Sequence, residues 1–478
     1  MLHNLGASRT SASLGGILLL TAITIVAGGC QTFSAAPLNL RSFQADLDTR
    51  PLAPEPVEAF AARLRESDAT IPDRIDFADG LTAAEAEVVA LFYNPDLRLA
   101  RLHAGVALAT YENAGLWEDP VFGFDGAEIL SPAAPFEFGF SLQFTLPVSG
   151  RLGIERDLAG AEHAAQLRRV ADAEWHTRTE VRRRWTRWAT AALQLDLHNE
   201  VLAQLERIIT LTDQLEAAGE LRRVDARLFR AELAAQRAAH TDAERQTRQA
   251  RLDLLAITGL PPAAAINLVP GLPTLPPESD PASATRMIET NTLLAVRRAE
   301  YQAAEHALRL EVRKQYPDIT IGTGYANEDD DRLLLGLSLP VPSLNANRAG
   351  IAEALAARAL ARGSAETTYE QLLHQLQSAR AALDAVRSQQ AAYESTLVPM
   401  LTAQSADVEH LASLGDVDTL LLLDTVTRQA DAKSRLLDLR EDERQIEITI
   451  AQLLGPDTPA QDTDATQTAI QSATGDTP

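Results

Sequence analysis

Apolar residues recur along most of this chain at helical spacing, and in two places they switch to strict alternation. Val296, Ala299, Ala303, Ala307 and Leu310 step by three and four. Leu372, Leu376, Ala379, Leu383 and Val386 repeat that step at coiled-coil spacing. Alanine at so many seam positions predicts helices packed close together. Elsewhere Phe136, Phe138, Phe140, Leu142 and Phe144 alternate with Glu137, Gly139, Ser141 and Gln143. Likewise Ile319, Ile321 and Tyr325 alternate with Thr320, Gly322 and Gly324, and Leu333, Leu335, Leu337 and Leu339 with Leu334, Gly336 and Ser338. Period two predicts strands that are apolar on one face and small or polar on the other, which suits a sandwich or a membrane barrel. Strand lengths of about nine to eleven residues match a tilted membrane crossing. Pro399 interrupts a helical run and predicts a kink there.

The chain also resembles itself. An offset of 197 residues aligns Asn94 with Asn291, Pro120 with Pro317, Arg151 with Arg348, Gly153 with Gly350 and Ile154 with Ile351. Inside the β stretch the offset is 193, placing Leu146-Pro147-Val148 on Leu339-Pro340-Val341; downstream it is 196, matching Gly219 with Gly415 and Gly259 with Gly455. Two internal repeats follow, over 81–259 and 286–455, each reading helix, β-hairpin, long helix, glycine-marked turn and return helix. Pro147 and Pro340 read as strand terminators. The run Glu328 to Asp331 reads as an exposed hairpin loop. A proline-rich connector spans 260–285, residues 30–80 form an irregular extension, and 456–478 read as a disordered tail with little to bury.

Helix lengths give an independent check. Arg151 to Gly219 and Arg348 to Gly415 each correspond to roughly 100 Å at 1.5 Å per residue. The return to Gly259 covers roughly 60 Å and the following helix, about 286 to 315, roughly 45 Å. Descent and two-step ascent nearly cancel, as a tall tube requires. Four strands per chain cannot close around an aqueous lumen, and an open sheet edge is intolerable in lipid. Copies would have to pool their strands, and three would supply about twelve.

Composition narrows the choices. The chain has 478 residues, 46% of them hydrophobic but only 5% aromatic, which argues against one large globular core. A net charge of −23 excludes the basic footprint of a nucleic-acid binder. The nine histidines show no HExxH spacing, no Walker A or complete GxGxxG motif occurs, and the single cysteine cannot form an internal disulfide or a zinc ribbon. No catalytic residue, metal or cofactor is expected. Residues 1–29 read as a signal peptide, with Arg9, an apolar stretch from Leu14 to Val26, and small residues before Cys30. The AGGC end resembles a bacterial lipobox, which implies lipidation at Cys30. Ala27 stands where leucine is usual, and Gln31 follows the cysteine, which points to the outer membrane.

Residues 81 to 455 resemble the bacterial outer membrane efflux protein family, the TolC-like channels. The resemblance rests on LTAAEAEVVALFYNPDLRLARLHAGVALATYENAGL with its Asn94-Pro95 break, the two hairpins ending in Leu-Pro-Val, and the two glycine-marked turns. It implies a mainly α homotrimer. A long α-helical coiled-coil barrel would stand under a shared 12-stranded β-barrel, with Phe136, Phe138, Phe140, Phe144, Ile319, Ile321, Leu335 and Leu337 on transmembrane strands. It further implies a passive exit duct in the cell outer membrane, extending into the periplasm. The partners implied are a periplasmic adaptor protein and an inner-membrane transporter of RND or ABC type. AGLWEDP is similar to a segment of the metal-efflux branch. Gly219 and Gly415 would form the periplasmic tip that meets the adaptor. Tunnel-entrance acids are expected among Asp225, Asp416, Asp418 and Asp424, with Leu421 and Ala412 departing from the family pattern. A periplasmic coiled-coil adaptor, a structural scaffold lipoprotein or a type I secretion outlet are the alternative readings.

Overall fold

The computed structural model describes residues 33–48, 50, 54–66, 71–128, 136–272, 283–328, 330–413 and 419–456. The signal-peptide and Cys30 assignments, the tail beyond residue 456, and Gly415, Asp416 and Asp418 lie outside these residues. Residues up to Arg50 form a unit of their own. It contains helix α1 (Leu40–Asp48), started by Asn39, whose Oδ1 accepts from the amides of Arg41 and Ser42 at 3.1 and 3.2 Å.

The second unit begins with α2 (Pro54–Arg65), and here the expectation of an irregular 30–80 extension is corrected. Pro54 occupies the first helical position, where its missing N–H costs nothing. Glu55 in the first turn and Arg63 and Arg65 in the last complement the helix dipole, while Val57, Phe60 and Ala61 are buried. A capping box follows: the Thr82 hydroxyl accepts from Glu85 N at 3.4 Å, and the Glu85 carboxylate accepts from Thr82 N at 2.9 Å. It opens α3 (Ala83–Tyr93), which α4 (Pro95–Glu112) follows after a single-residue break.

Strands β1 (Val121–Ala127) and β2 (Glu137–Leu146) lead into α5 (Arg151–Ala218), an unbroken helix of 68 residues, and α6 (Arg223–Thr258) returns. The second half runs α7 (Ser283–Thr290), α8 (Thr292–Arg313), β3 (Ile319–Glu328), β4 (Asp330–Ser338), α9 (Arg348–Ala392), α10 (Val398–Ser413) and α11 (Thr419–Leu454). Between α9 and α10 lies a five-residue π-helical turn, Tyr393–Leu397, in which Val398 N–H reaches back to Tyr393 O. This is the physical form of the break expected at Pro399. Proline offers no N–H to the preceding turn, and the helix absorbs the loss by widening one rung upstream.

The same junction is built twice. Asn94 Oδ1 accepts from Leu97 N at 2.9 Å while its Nδ2 donates to Ile257 O at 2.7 Å. Asn291 Oδ1 accepts from Leu294 N at 2.9 Å while its Nδ2 donates to Leu453 O at 2.8 Å. Each asparagine starts one helix and satisfies the carboxyl end of a returning one. Arg101 extends the first junction to Leu91 O, and Arg298 the second to Ile288 O. Around the first junction lies the largest core, which joins Val57 and Phe60 of α2, α3, Trp185 and Trp188 of α5, and Leu254 and Leu255 of α6. The described part of the connector belongs to this core: Leu81 bridges to Leu268, and Trp185 Nε1 donates to Gly271 O at 3.0 Å. A second core, lower down, packs Leu197 to Ile208 of α5 against Phe229 of α6, Val408 of α10 and Leu422 and Val426 of α11.

Candidate functional site

The two hairpins are not separate. β2 pairs antiparallel with β3, from Leu146 opposite Ile319 to Phe138 opposite Asn327, so all four strands form one sheet in chain order. β1 and β4 are its edges. Opposed residues share a face, so one face carries Phe122, Phe124, Phe138, Phe140, Leu142, Phe144, Ile321, Leu333, Leu335 and Leu337. The other carries Gly123, Asp125, Gly139, Ser141, Gln143, Thr320, Gly322, Gly324 and Gly336. The apolar face is open to its surroundings: Leu333 is 77% and Leu335 81% exposed. That is the inverse of a sandwich strand, which buries its large side chains. Glycines keep the polar face thin; a Cβ on Gly324 would lie 2.8 Å from Phe140 O.

The expected strand residues Phe138, Phe140, Phe144, Ile319, Ile321, Leu335 and Leu337 all fall on strands and on this one face. Phe136 lies one residue before β2, and its ring covers Gly126. β1, at seven residues, is shorter than the nine to eleven expected. The next residue destined for the apolar face is Glu128, and the apolar band ends there. No described helix is long and apolar enough to cross a membrane.

Where sheet meets helices, one arginine ties three segments. Arg151, the first residue of α5, donates to Asp318 just before β3 at 2.7 Å, to Glu155 at 2.8 Å and to Glu118 at 2.6 Å. Ser149 N also donates to Asp318, at 3.1 Å. Burial pushes the Asp318 carboxyl upward, but the hydrogen bonds from Arg151 and Ser149 outweigh it and hold the group below the usual carboxylate range. Its contribution is therefore complete above the ordinary carboxylate value and is lost as pH falls through the depressed one. Asp318→Asn is expected to lower stability by about 1–3 kcal/mol at neutral pH. Thermal melts of the detergent-solubilised protein should show that difference shrinking towards pH 3.

At the opposite end, Gly219 takes the left-handed conformation (φ 80°) that ends α5, with Glu220 and Leu221 amides donating to Leu215 O at 2.9 and 3.1 Å. Asp225 lies in the first turn of α6, buried, with both carboxylate oxygens held by Arg222 at 2.8 and 3.1 Å. Arg230 binds Asp213 and Glu216, each at 2.6 Å. Asp424 pairs with Arg428 one turn away on α11. Both described acids are thus paired locally. The Arg222 and Arg230 partnerships were invisible in sequence except as nearby opposite charges.

Comparison with known proteins agrees with this geometry. Residues 88–260 match the family model described as outer membrane efflux protein. No curated protein matches the chain. Among solved structures, CusC is similar with a TM-score of 0.66 at 18% identity over 78% of this chain and 92% of its own. The Campylobacter jejuni CmeC outer membrane channel gives 0.70 at 12%, covering 83% and 90%. The outer membrane protein VceC of Vibrio cholerae gives 0.67 at 16%, covering 78% and 96%. The chain therefore carries, over residues 88–260, a match to the outer membrane efflux protein family, and these solved structures share its fold over 78–83% of its length.

Proposed function

We propose that this protein is the outer membrane component of a tripartite efflux pump. It would act as a passive, enzymatically inert exit duct for metal ions or drugs, assembled as a homotrimer and anchored through a lipid on Cys30. A periplasmic adaptor would dock at the Gly219 and Gly415 turns and link the duct to an inner-membrane transporter of the RND type. The observation that carries the reading is the four-stranded sheet with an apolar outer face and two unsatisfied edges. In hydrocarbon such edges are tolerable only when another chain completes them.

The internal offsets also say how copies would join. β4 corresponds to β2, and β1 to β3, so β4 should pair with the next copy's β1 in the register that β2 and β3 already use. That places Gly336 opposite Asp125 and Leu337 opposite Phe124, with apolar residues again facing apolar ones. The helices carry the same asymmetry. On α8, Val296 and Ala299 are buried to 4% and 7% exposure. Their counterparts on α4, Leu99 and Leu102, are 55% and 42% exposed. A neighbouring copy's α9 would cover them as α5 covers α8.

Cysteines at Asp125 and Gly336 together, in a chain whose Cys30 is retained, are expected to give oxidant-dependent covalent dimers and trimers in membranes. Asp125 paired with a cysteine at Leu334, two residues out of register, should give few. Equal cross-linking of both pairs, or none in a membrane-inserted protein, refutes the proposed ring.

A further inference from the structure

A cavity of about 670 Å³ opens between α4, α5 and α8, just below the sheet. Its walls include Tyr111, Arg156, Asp157, Glu305, His306 and Arg309. Tyr111 is a fixed wall: its ring lies parallel to that of buried His163 with centroids 6.1 Å apart, and Gly160 admits it so closely that an added Cβ would sit 3.1 Å from the ring. Arg156 lies over the same ring at 5.8 Å. Glu305 is already engaged by Tyr301 Oη at 2.8 Å and Arg358 at 3.2 Å. Arg156, Asp157 and Arg309 form no hydrogen bond or ion pair among the described residues, although most charged side chains on these helices do. The His306 Nδ1 atom is buried without a partner. Arg309 is in electrostatic reach of the Glu305 carboxylate and Arg156 of the Tyr111 ring, so two exposed guanidiniums and the exposed Asp157 carboxylate face the cleft without a hydrogen-bonded protein partner.

The depth of the cleft suggests an occupant. Arg156 is five residues into α5, roughly 7 Å below its start, and Arg309 lies about 6 Å from the end of α8. If the sheet spans the hydrocarbon, the linkers 147–150 and 314–318 add to these distances and place the cleft at the periplasmic margin of the polar headgroups, a layer of roughly 5–8 Å on each side. We propose that the cleft binds a zwitterionic aminoalkyl-phosphate headgroup from the periplasmic leaflet. Arg156 and Arg309 take the phosphate, as paired guanidiniums do, and Asp157 takes the ammonium. Tyr111 closes the side towards α4. The site rests on the membrane reading of the sheet, and it would fix the height of the helical barrel against the bilayer.

The test uses the full chain, delipidated in detergent, and measures binding of short-chain phosphatidylethanolamine, short-chain phosphatidylglycerol and free phosphoethanolamine by native mass spectrometry. Insertion into liposomes is scored in parallel. Phosphatidylethanolamine is expected to bind at least tenfold tighter than free phosphoethanolamine. The double variant R156Q/R309Q should lose that binding at least tenfold while still inserting, and D157N should abolish the preference over phosphatidylglycerol. Insertion without headgroup selectivity, or selectivity unchanged in both variants, overturns the site alone. Free phosphoethanolamine binding as tightly as the lipid overturns the lipid source. Failure of the unaltered chain to insert overturns the membrane reading and this inference with it.

Discussion

Leu335→Arg is expected to abolish stable assembly of the protein in membranes, whereas Gln143→Arg on the opposite face of the same sheet should be tolerated. Leu335 lies mid-strand on the apolar face, between Leu333 and Leu337, and is 81% exposed. On the lipid face of a barrel an arginine costs about 2–4 kcal/mol at the bilayer midplane. A ring of identical chains incurs that cost once per copy, which is comparable to the whole stability of many domains. Gln143 pairs with Gly322 and Val121 among small and polar neighbours, where a charge meets water. The measurement is the fraction of protein that fractionates with outer membranes and resists denaturant at room temperature. Equal behaviour of the two variants would mean that the apolar face does not contact lipid.

Gly259→Ala should be nearly as damaging, for a different reason. Gly259 ends α6 in the left-handed region (φ 72°), and an added Cβ would lie 2.2 Å from Tyr93 O and 2.6 Å from Tyr93 C. Neither atom can yield without moving the α3–α4 junction and breaking the paired Asn94 hydrogen bonds. The left-handed conformation alone costs an alanine roughly 1–2 kcal/mol. With the backbone clash we expect about 3–5 kcal/mol. Gly455→Ala should match it, since the Cβ there would meet Thr290 O at 2.2 Å. Gly219→Ala isolates the conformational part: its φ is 80°, but nothing lies within 4 Å of the added atom. Chemical denaturation followed by helical circular dichroism would rank the three. A Gly259→Ala cost no larger than that of Gly219→Ala would show that the junction is not tightly packed.

Much of this architecture was legible before any coordinates. Alternation at 136–144 and 319–339 identified strands, because one face of each is uniformly large and the other uniformly small. The stepping of Leu372 and Leu376 identified a seam, and both residues are buried. What the pattern could not convey was pairing: nothing local states that Leu146 meets Ile319, since register across a long connection depends on residues far apart. Helix α2 was missed because prolines at 51, 54 and 56 outweighed a short stripe of Val57, Phe60, Ala61 and Leu64. The tip acids were expected from the family resemblance, yet whether an acid is paired depends on its neighbour's rotamer. Asp225 looks available in a string of letters and is clasped by Arg222 in space.

Strand parity limits how such chains could pair edge to edge. With four antiparallel strands in chain order, β1 and β4 run in opposite directions. Joining β4 of one copy to β1 of the next continues the up-and-down order and leaves every subunit pointing the same way. Pairing like edges about a dyad would instead turn one subunit upside down and set its helices on the far side of the bilayer. A contact of that kind would be head-to-tail, and it would either close into a circle or propagate without end.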